Sequence, residues 1–308
     1  MVEHLAPVLY YCGVHLLYAS MVWSAAWILT SIPCGSATTK YWIWLTTSLN
    51  FVLPSGALFD KFFAPHLSFA KPLAFIGDVG LDVAENHSVA LALVSVWLLG
   101  SSLTATRLYL RLRNERRDLR QSAGHLEMRG FVAHGIPVTF GRSQAPVVSG
   151  VLRPRISLPG GIDELLSEHE LNAVLLHEVA HAKRRDNLIR LVHEIVLCML
   201  WFHPMVWITS ARISLYRELS CDEAVIQQSQ GGDLISALSK LASPEQPLLL
   251  EATASSFLSA RLARLVSDQP QRTWGLASAL VSAVFSAALV CGVLSTVAHT
   301  ACCFIHKH

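Results

Sequence analysis

Residues 88–106 contain no Asp, Glu, Lys or Arg, and directly behind them stand Arg107, Arg111, Arg113, Arg116, Arg117 and Arg120. An apolar run of that length suits a helix crossing about 30 Å of hydrocarbon, and a basic cluster at one end marks the cytoplasmic side. Three more stretches pass the same length test: residues 5–29, 41–59 and 274–298, the second of them interrupted by Asn50 and Pro54. Composition agrees, with 15% charged residues against about 25% in typical soluble domains. The expectation is a multi-pass protein of a cell (inner) membrane, with spans at 5–29, 41–59, 88–110 and 274–298. Both termini then lie outside and residues 111–272 inside.

The loop between the second and third spans holds Asp60, Asp78, Asp82 and Glu85 against Lys61 and Lys71, which suits the outer face. The N-terminus lacks a signal peptide's basic start and small-residue cleavage site, so its apolar run reads as a retained anchor. Trp42, Trp44 and Trp97 read as interfacial anchors. A net charge of +2 offers nothing to nucleic acid. The seven cysteines form no C-x-x-C pair, which excludes a zinc ribbon and a disulfide scaffold. The chain divides into a membrane region with three spans (1–110), an inner domain (111–272), and a fourth span with a short outer tail (273–308).

The inner domain has mixed patterning. Short β-rich runs at 138–140, 147–151 and 155–158 are punctuated by Gly141, Gly150 and Pro154. Ser167 followed by Glu170 predicts a capping box that opens a helix reaching about Asp186. Further helices are expected at about 211–228 and 255–266. The apolar run 188–208 holds Arg190, His193 and Glu194, costly in hydrocarbon, and is broken by Pro204; it reads as a bent helical hairpin against the membrane interface or as a core helix.

Within the capped helix, His177-Glu178-Val179-Ala180-His181 is an H-E-x-x-H motif. Four-residue spacing places both imidazoles on one helix face, where they can meet one Zn²⁺ per chain. Glu178 stands beside them, positioned to act as general base on a water. A catalytic site of this type needs a third ligand. Glu218 is a candidate on the next helix, with Glu194, Glu223 and Asp186 as competitors; pairing of Glu218 with Arg217 or Lys240 is the bland alternative. Asp222, four residues after Glu218, can orient a ligand imidazole, and Asp186 is a second candidate for that role. His193 and His203 read as packing residues.

H-E-V-A-H combined with Glu218-Leu219-Ser220-Cys221-Asp222-Glu223 resembles the BlaR/MecR-type integral-membrane zinc metallopeptidases. Ser149-Gly150-Val151-Leu152-Arg153-Pro154-Arg155-Ile156-Ser157-Leu158-Pro159 and Trp201-Phe202-His203-Pro204-Met205-Val206-Trp207 carry the same resemblance. The resemblance implies Glu218 as third ligand. It also implies a mostly α membrane protein with four transmembrane helices and a cytoplasmic α+β gluzincin-like zinc peptidase domain between the third and fourth. Such a protein would cleave itself or a cytoplasmic transcriptional repressor in response to a signal. The antibiotic-sensing members carry a penicillin-binding sensor after the fourth span; here the sequence stops about ten residues past it, so a signal is expected through the outer loop, through the spans, or from a separate membrane sensor partner or self-association. Ser68-Phe69-Ala70-Lys71 matches S-x-x-K but lacks an accompanying K-T-G. The β-rich segment 151–158 is expected to offer an edge strand to an extended substrate. The alternative is a non-proteolytic membrane transducer or scaffold with a structural zinc; the intact Glu178 argues against it. A transporter is disfavoured because the spans hold few ionisable residues beyond His15.

Overall fold

The computed structural model describes residues 5–32, 35–53, 87–123, 130–141, 143, 145–242 and 252–266. The expected fourth span, the loop with Ser68 to Lys71, and the tail lie outside the described residues. Three helices come first: α1 (Leu5–Ser31), α2 (Ala37–Asn50) and α3 (His87–Ala123). Four strands follow, β1 (Gly130–Ala133), β2 (Ile136–Gly141), β3 (Val147–Ser149) and β4 (Arg155–Pro159). The chain continues through α4 (Ile162–Leu165), α5 (Glu168–Arg184), α6 (Asp186–Met199), α7 (Pro204–Ile226), α8 (Gly231–Leu241) and α9 (Ala252–Val266). The described residues are thus mostly helical with one small sheet.

Among the described residues one helical stretch, Ser88–Asn114, is long and apolar enough to cross a membrane, and only 6% of its apolar window is buried. This is where the sequence placed the third span. Of the second expected span only residues 41–53 are described. Helix α2 begins at Ala37, is capped by Ser36, and ends at Asn50, so its 14 residues reach only about 21 Å. Its Tyr41, Trp44, Thr47 and Ser48 are buried against α7. Trp44 is no interfacial anchor: fully buried, it meets Trp23 and Trp27 edge-on at 5.9 and 6.2 Å.

The sheet has the order β1-β2-β4-β3, with β2 and β4 parallel and both outer pairs antiparallel. β4 therefore has a neighbour on each side and cannot offer a free edge, contrary to expectation; the edges belong to β1 and β3. The sequence reading also missed β1, which pairs with β2 through a two-residue turn. His134 and Gly135 both adopt positive φ there (50° and 82°), the geometry that twists a tight hairpin correctly. Gly150 (φ 86°) turns β3 into β4 where any side chain would strike the Arg153 carbonyl.

Alternation along β4 buries Ile156 and Leu158 beneath α5 and α8, each side chain contributing about 2 kcal/mol of apolar burial. Helix α5 starts with the predicted capping box: Glu170 N–H donates to Ser167 Oγ at 3.4 Å, and Ser167 N–H to Glu170 Oε2 at 2.8 Å. It ends at Arg184, because Arg185 turns left-handed (φ 58°) and restarts the chain as α6. The expected break at Pro204 is a turn between α6 and α7. Proline is pre-set for the first helical turn, so α7 starts there, earlier than the sequence pattern indicated. One face of α7 packs with Ile213, Tyr216 and Leu219 against α2, while Val225 joins the core beneath the sheet.

Candidate metal centre

Helices α5 and α7 pack together and bring His177, His181 and Glu218 to one point. The two Nε2 atoms lie 3.1 Å apart, and Glu218 Oε2 lies 3.6 Å from one and 3.7 Å from the other. A tetrahedral zinc with bonds of about 2.0–2.1 Å separates its ligand atoms by about 3.3 Å. The donor set and spacing therefore fit such an ion. Glu218 Oε1 turns the other way, accepting from Arg217 at 3.1 Å. Lys240, the other partner considered for Glu218, pairs instead with Glu170 at 2.7 Å.

Each imidazole is backed by an aspartate, and each aspartate is gripped by an arginine. His181 Nδ1 donates to Asp186 Oδ2 at 2.6 Å. Arg184 then donates twice to Asp186, Nε to Oδ1 and a terminal nitrogen to Oδ2, both at 2.6 Å. On the other side Asp222 Oδ1 sits 3.0 Å from His177 Nδ1, in ion-pair contact though out of hydrogen-bond alignment. Arg261 on α9 donates to both Asp222 oxygens at 2.9 and 2.8 Å. A carboxylate behind a ligand imidazole fixes its orientation and leaves Nε2 free for the metal.

These contacts set the charge balance. Burial works against a charged His177, but Asp222 and Glu218 outweigh it and hold its pKa up to about 9. Burial likewise opposes His181, and Cys221, Glu218 and Asp186 raise it well above its usual value. Burial would raise Glu218; the two histidines and Arg217 pull it well below the carboxylate range. The site thus favours positive charge at its centre.

The competing carboxylates have other roles. Glu194 pairs with Arg111 of α3, and Glu223 accepts from the Ala37 and Thr38 amides at the start of α2. A second donor group, His181, Asp186 and Cys221, also converges. There Arg184 occupies the centre, bonding Asp186 and donating to Cys221 Sγ at 3.2 Å.

The centre forms one wall of a cleft of about 450 Å³. Glu178 lines it, and among the described residues its carboxylate carries no hydrogen bond. Val147 and Val148 of edge strand β3 line the cleft too, as do Leu234 and Leu238. Asn187, next to Asp186, donates to the Val148 and Gly150 carbonyls at 2.8 and 3.2 Å, tying that strand to the centre. Sequence reasoning named His177, Glu178, His181, Glu218, Asp222 and Asp186, and missed Arg184 and Arg261. The available signal for Arg261 was its position: Leu258, Arg261 and Leu265 share one helix face, and a lone charge on an apolar stripe calls for a buried partner.

This is the layout of a metallopeptidase-type site, in a chain whose described residues include one helix suited to crossing a membrane. The chain belongs to the BlaR1 peptidase M56 family, whose model matches residues 16–263. It is 40% identical over 84 residues to the regulatory protein BlaR1 of Bacillus licheniformis, covering 27% of this chain and 14% of that one. It is 23% identical over 176 residues to the methicillin resistance mecR1 protein of Staphylococcus aureus, covering 52% and 28%. An equal match is found to the mecR1 protein of Staphylococcus epidermidis. The chain spans well under a third of the length of these curated relatives.

Proposed function

We propose that the protein is a membrane-embedded zinc metalloendopeptidase that hydrolyses peptide bonds of itself or of a cytoplasmic regulatory protein in transmembrane signalling. The carrying observation is the convergence of His177, His181 and Glu218 in the wall of a cleft that also holds Glu178. In this reading the three side chains hold one zinc ion, which when bound supplies Lewis-acid activation of water and of the scissile carbonyl. Glu178 takes a proton from the attacking water and delivers it to the departing amine as the C–N bond breaks. Asp222 and Asp186 keep the two imidazoles oriented. An extended substrate strand lies along β3, its side chains entering the apolar part of the cleft.

The proposal includes four spans, with the peptidase domain (111–272) cytoplasmic between the third and fourth, both termini outside, and a repressor-like protein as substrate. Membrane sensor partners or self-association would bring the signal. The test uses the full chain in detergent, incubated alone and with an unfolded protein substrate. Wild type is expected to cleave, to stop with a zinc chelator and to resume on zinc addition, while Glu178→Gln keeps zinc without cleaving. Unchanged cleavage by Glu178→Gln would overturn the general-base role; zinc-loaded wild type inert on every substrate would favour the non-proteolytic transducer.

A further inference from the structure

The α6–α7 hairpin is apolar on its outer face as well as its inner one. Its outer surface exposes Val192, Ile195, Met199, Phe202, Trp207 and Ile208. Its inner surface buries His193 and Thr209, with Ser48 of α2 bonded to His193 Nδ1 at 2.6 Å and Trp23 of α1 donating to Thr209 at 3.0 Å. Val196, Leu197 and Val206 are buried there too, so the hairpin is apolar all round, whereas a hairpin in water would keep its outer face polar. From residue 195 to 211 the sequence has no Asp, Glu, Lys or Arg. The charges resume at both ends in anchored form: Glu194 pairs with Arg111, and the Arg212 guanidinium lies 4.4 Å over the Trp27 ring.

The backbone of the turn supplies an independent sign. Residues 200–203 are not helical, yet the carbonyls of Cys198, Met199, Leu200 and Trp201 are all bonded. The Cys198 carbonyl accepts from Thr104 at 3.4 Å and the Met199 carbonyl from the Trp97 indole at 2.8 Å. The Leu200 carbonyl accepts from the His203 amide at 2.9 Å, and the Trp201 carbonyl from the Trp207 indole at 2.8 Å. Water would satisfy an exposed turn without help; irregular backbone at membrane depth needs partners like these. The contacts also measure the depth. The Trp201 ring lies against Gly100 of α3, about 16 Å of helix back from Arg111 at about 1.5 Å per residue. Half of a hydrocarbon core is about 15 Å.

We propose that the α6–α7 hairpin is a re-entrant membrane element, its tip and outer face among lipid acyl chains in the leaflet facing the metal centre. The inference rests on α3 spanning the bilayer and is independent of peptidase activity. It puts the metal centre one helix length, about 21 Å, below the embedded turn, since α6 carries Asp186 at one end and that turn at the other. It also explains how a run as apolar as 188–208 leaves His177, His181 and Glu218 on one side of the membrane.

The test places nitroxide labels on the full chain, its exposed native cysteines replaced by serine, in phosphatidylcholine–phosphatidylglycerol vesicles. Labels go to Phe202→Cys, to Trp207→Cys as a second hairpin position, to Leu99→Cys on α3, and to Leu152→Cys in the β3–β4 turn. Collisions with oxygen and with a water-soluble nickel chelate are compared. The expected result is oxygen dominant at 202, 207 and 99, and nickel dominant at 152. Nickel dominant at 202 and 207 with oxygen still dominant at 99 overturns the re-entrant hairpin alone. Low collision with both reagents at 202 and 207 overturns lipid as the occupant in favour of a protein contact. Nickel dominant at 99 overturns the span on which the inference rests.

Discussion

The two sides of the metal centre use the same chemistry and are built in opposite ways. On one side His181, Arg184 and Asp186 come from a single short stretch, where α5 ends and α6 begins. On the other, His177, Asp222 and Arg261 come from α5, α7 and α9, far apart in the chain. The local arm is also the more heavily braced. Arg184 bonds the Arg217 carbonyl, Ser220 and Cys221 of α7 and stacks 4.4 Å over Tyr41 of α2. Among the described residues Arg261 reaches Asp222, Glu218 and His177. The local arm is therefore tied into the fold as well as to the candidate metal site, whereas the assembled arm touches mainly that site and depends on where α9 sits.

Changes at the shared point should have the largest effect. Glu218→Ala removes the donor on which both arms converge and is expected to abolish stoichiometric zinc binding, read by metal analysis after gel filtration. Next come the paired aspartates. Asp186→Asn and Asp222→Asn are each expected to lower zinc affinity about 10–100-fold, measured by competition with a chelator; an unchanged affinity for either would remove that arm from the account. The arginines sharpen the contrast. Arg184→Lys should cost about 2–3 kcal/mol of stability through its lost charged hydrogen bonds. Arg261→Lys should cost less than about 1 kcal/mol yet weaken zinc about tenfold. Equal melting temperatures for these two variants would erase the asymmetry.

The smallest effects lie at the far end of α5. Ser167→Ala should cost about 1 kcal/mol as a lost cap and leave zinc affinity unchanged, since the arms lie beyond it. Glu170 in the same box is held down to about 2 by Lys240, Ser236 and the Ser167 amide. A carboxylate depressed on folding stabilises above its unfolded pKa and loses that contribution as pH falls through the folded one. The box should therefore hold at pH 5 and above and weaken between pH 4.5 and about 2. Acid titration of the Glu170→Gln protein, compared with wild type, checks this.

The same contrast explains what could be read from the sequence. The capping box, the H-E-x-x-H face, and Asp222 four residues after Glu218 follow from helix periodicity, so they were legible one element at a time. Glu218 stood out from Glu194 and Glu223 only through family resemblance, because all three lie on helices and spacing cannot say which faces the histidines. Arg261 depends on a packing between distant helices that no local pattern encodes. In the sheet, the run at 155–158 was visible as a strand, but whether it lay at an edge was decided by β3 folding back on it. Trp44 was misread for a related reason: an aromatic near an apolar run looks like an anchor until its neighbours Trp23 and Trp27 are placed.

X-ray absorption at the zinc edge of the loaded full chain tests the central claim most directly. The account predicts a shell of nitrogen and oxygen at about 2.0–2.1 Å with two imidazoles and no sulfur. Zinc–sulfur scattering at about 2.3 Å would contradict it, placing the ion instead among His181, Asp186 and Cys221.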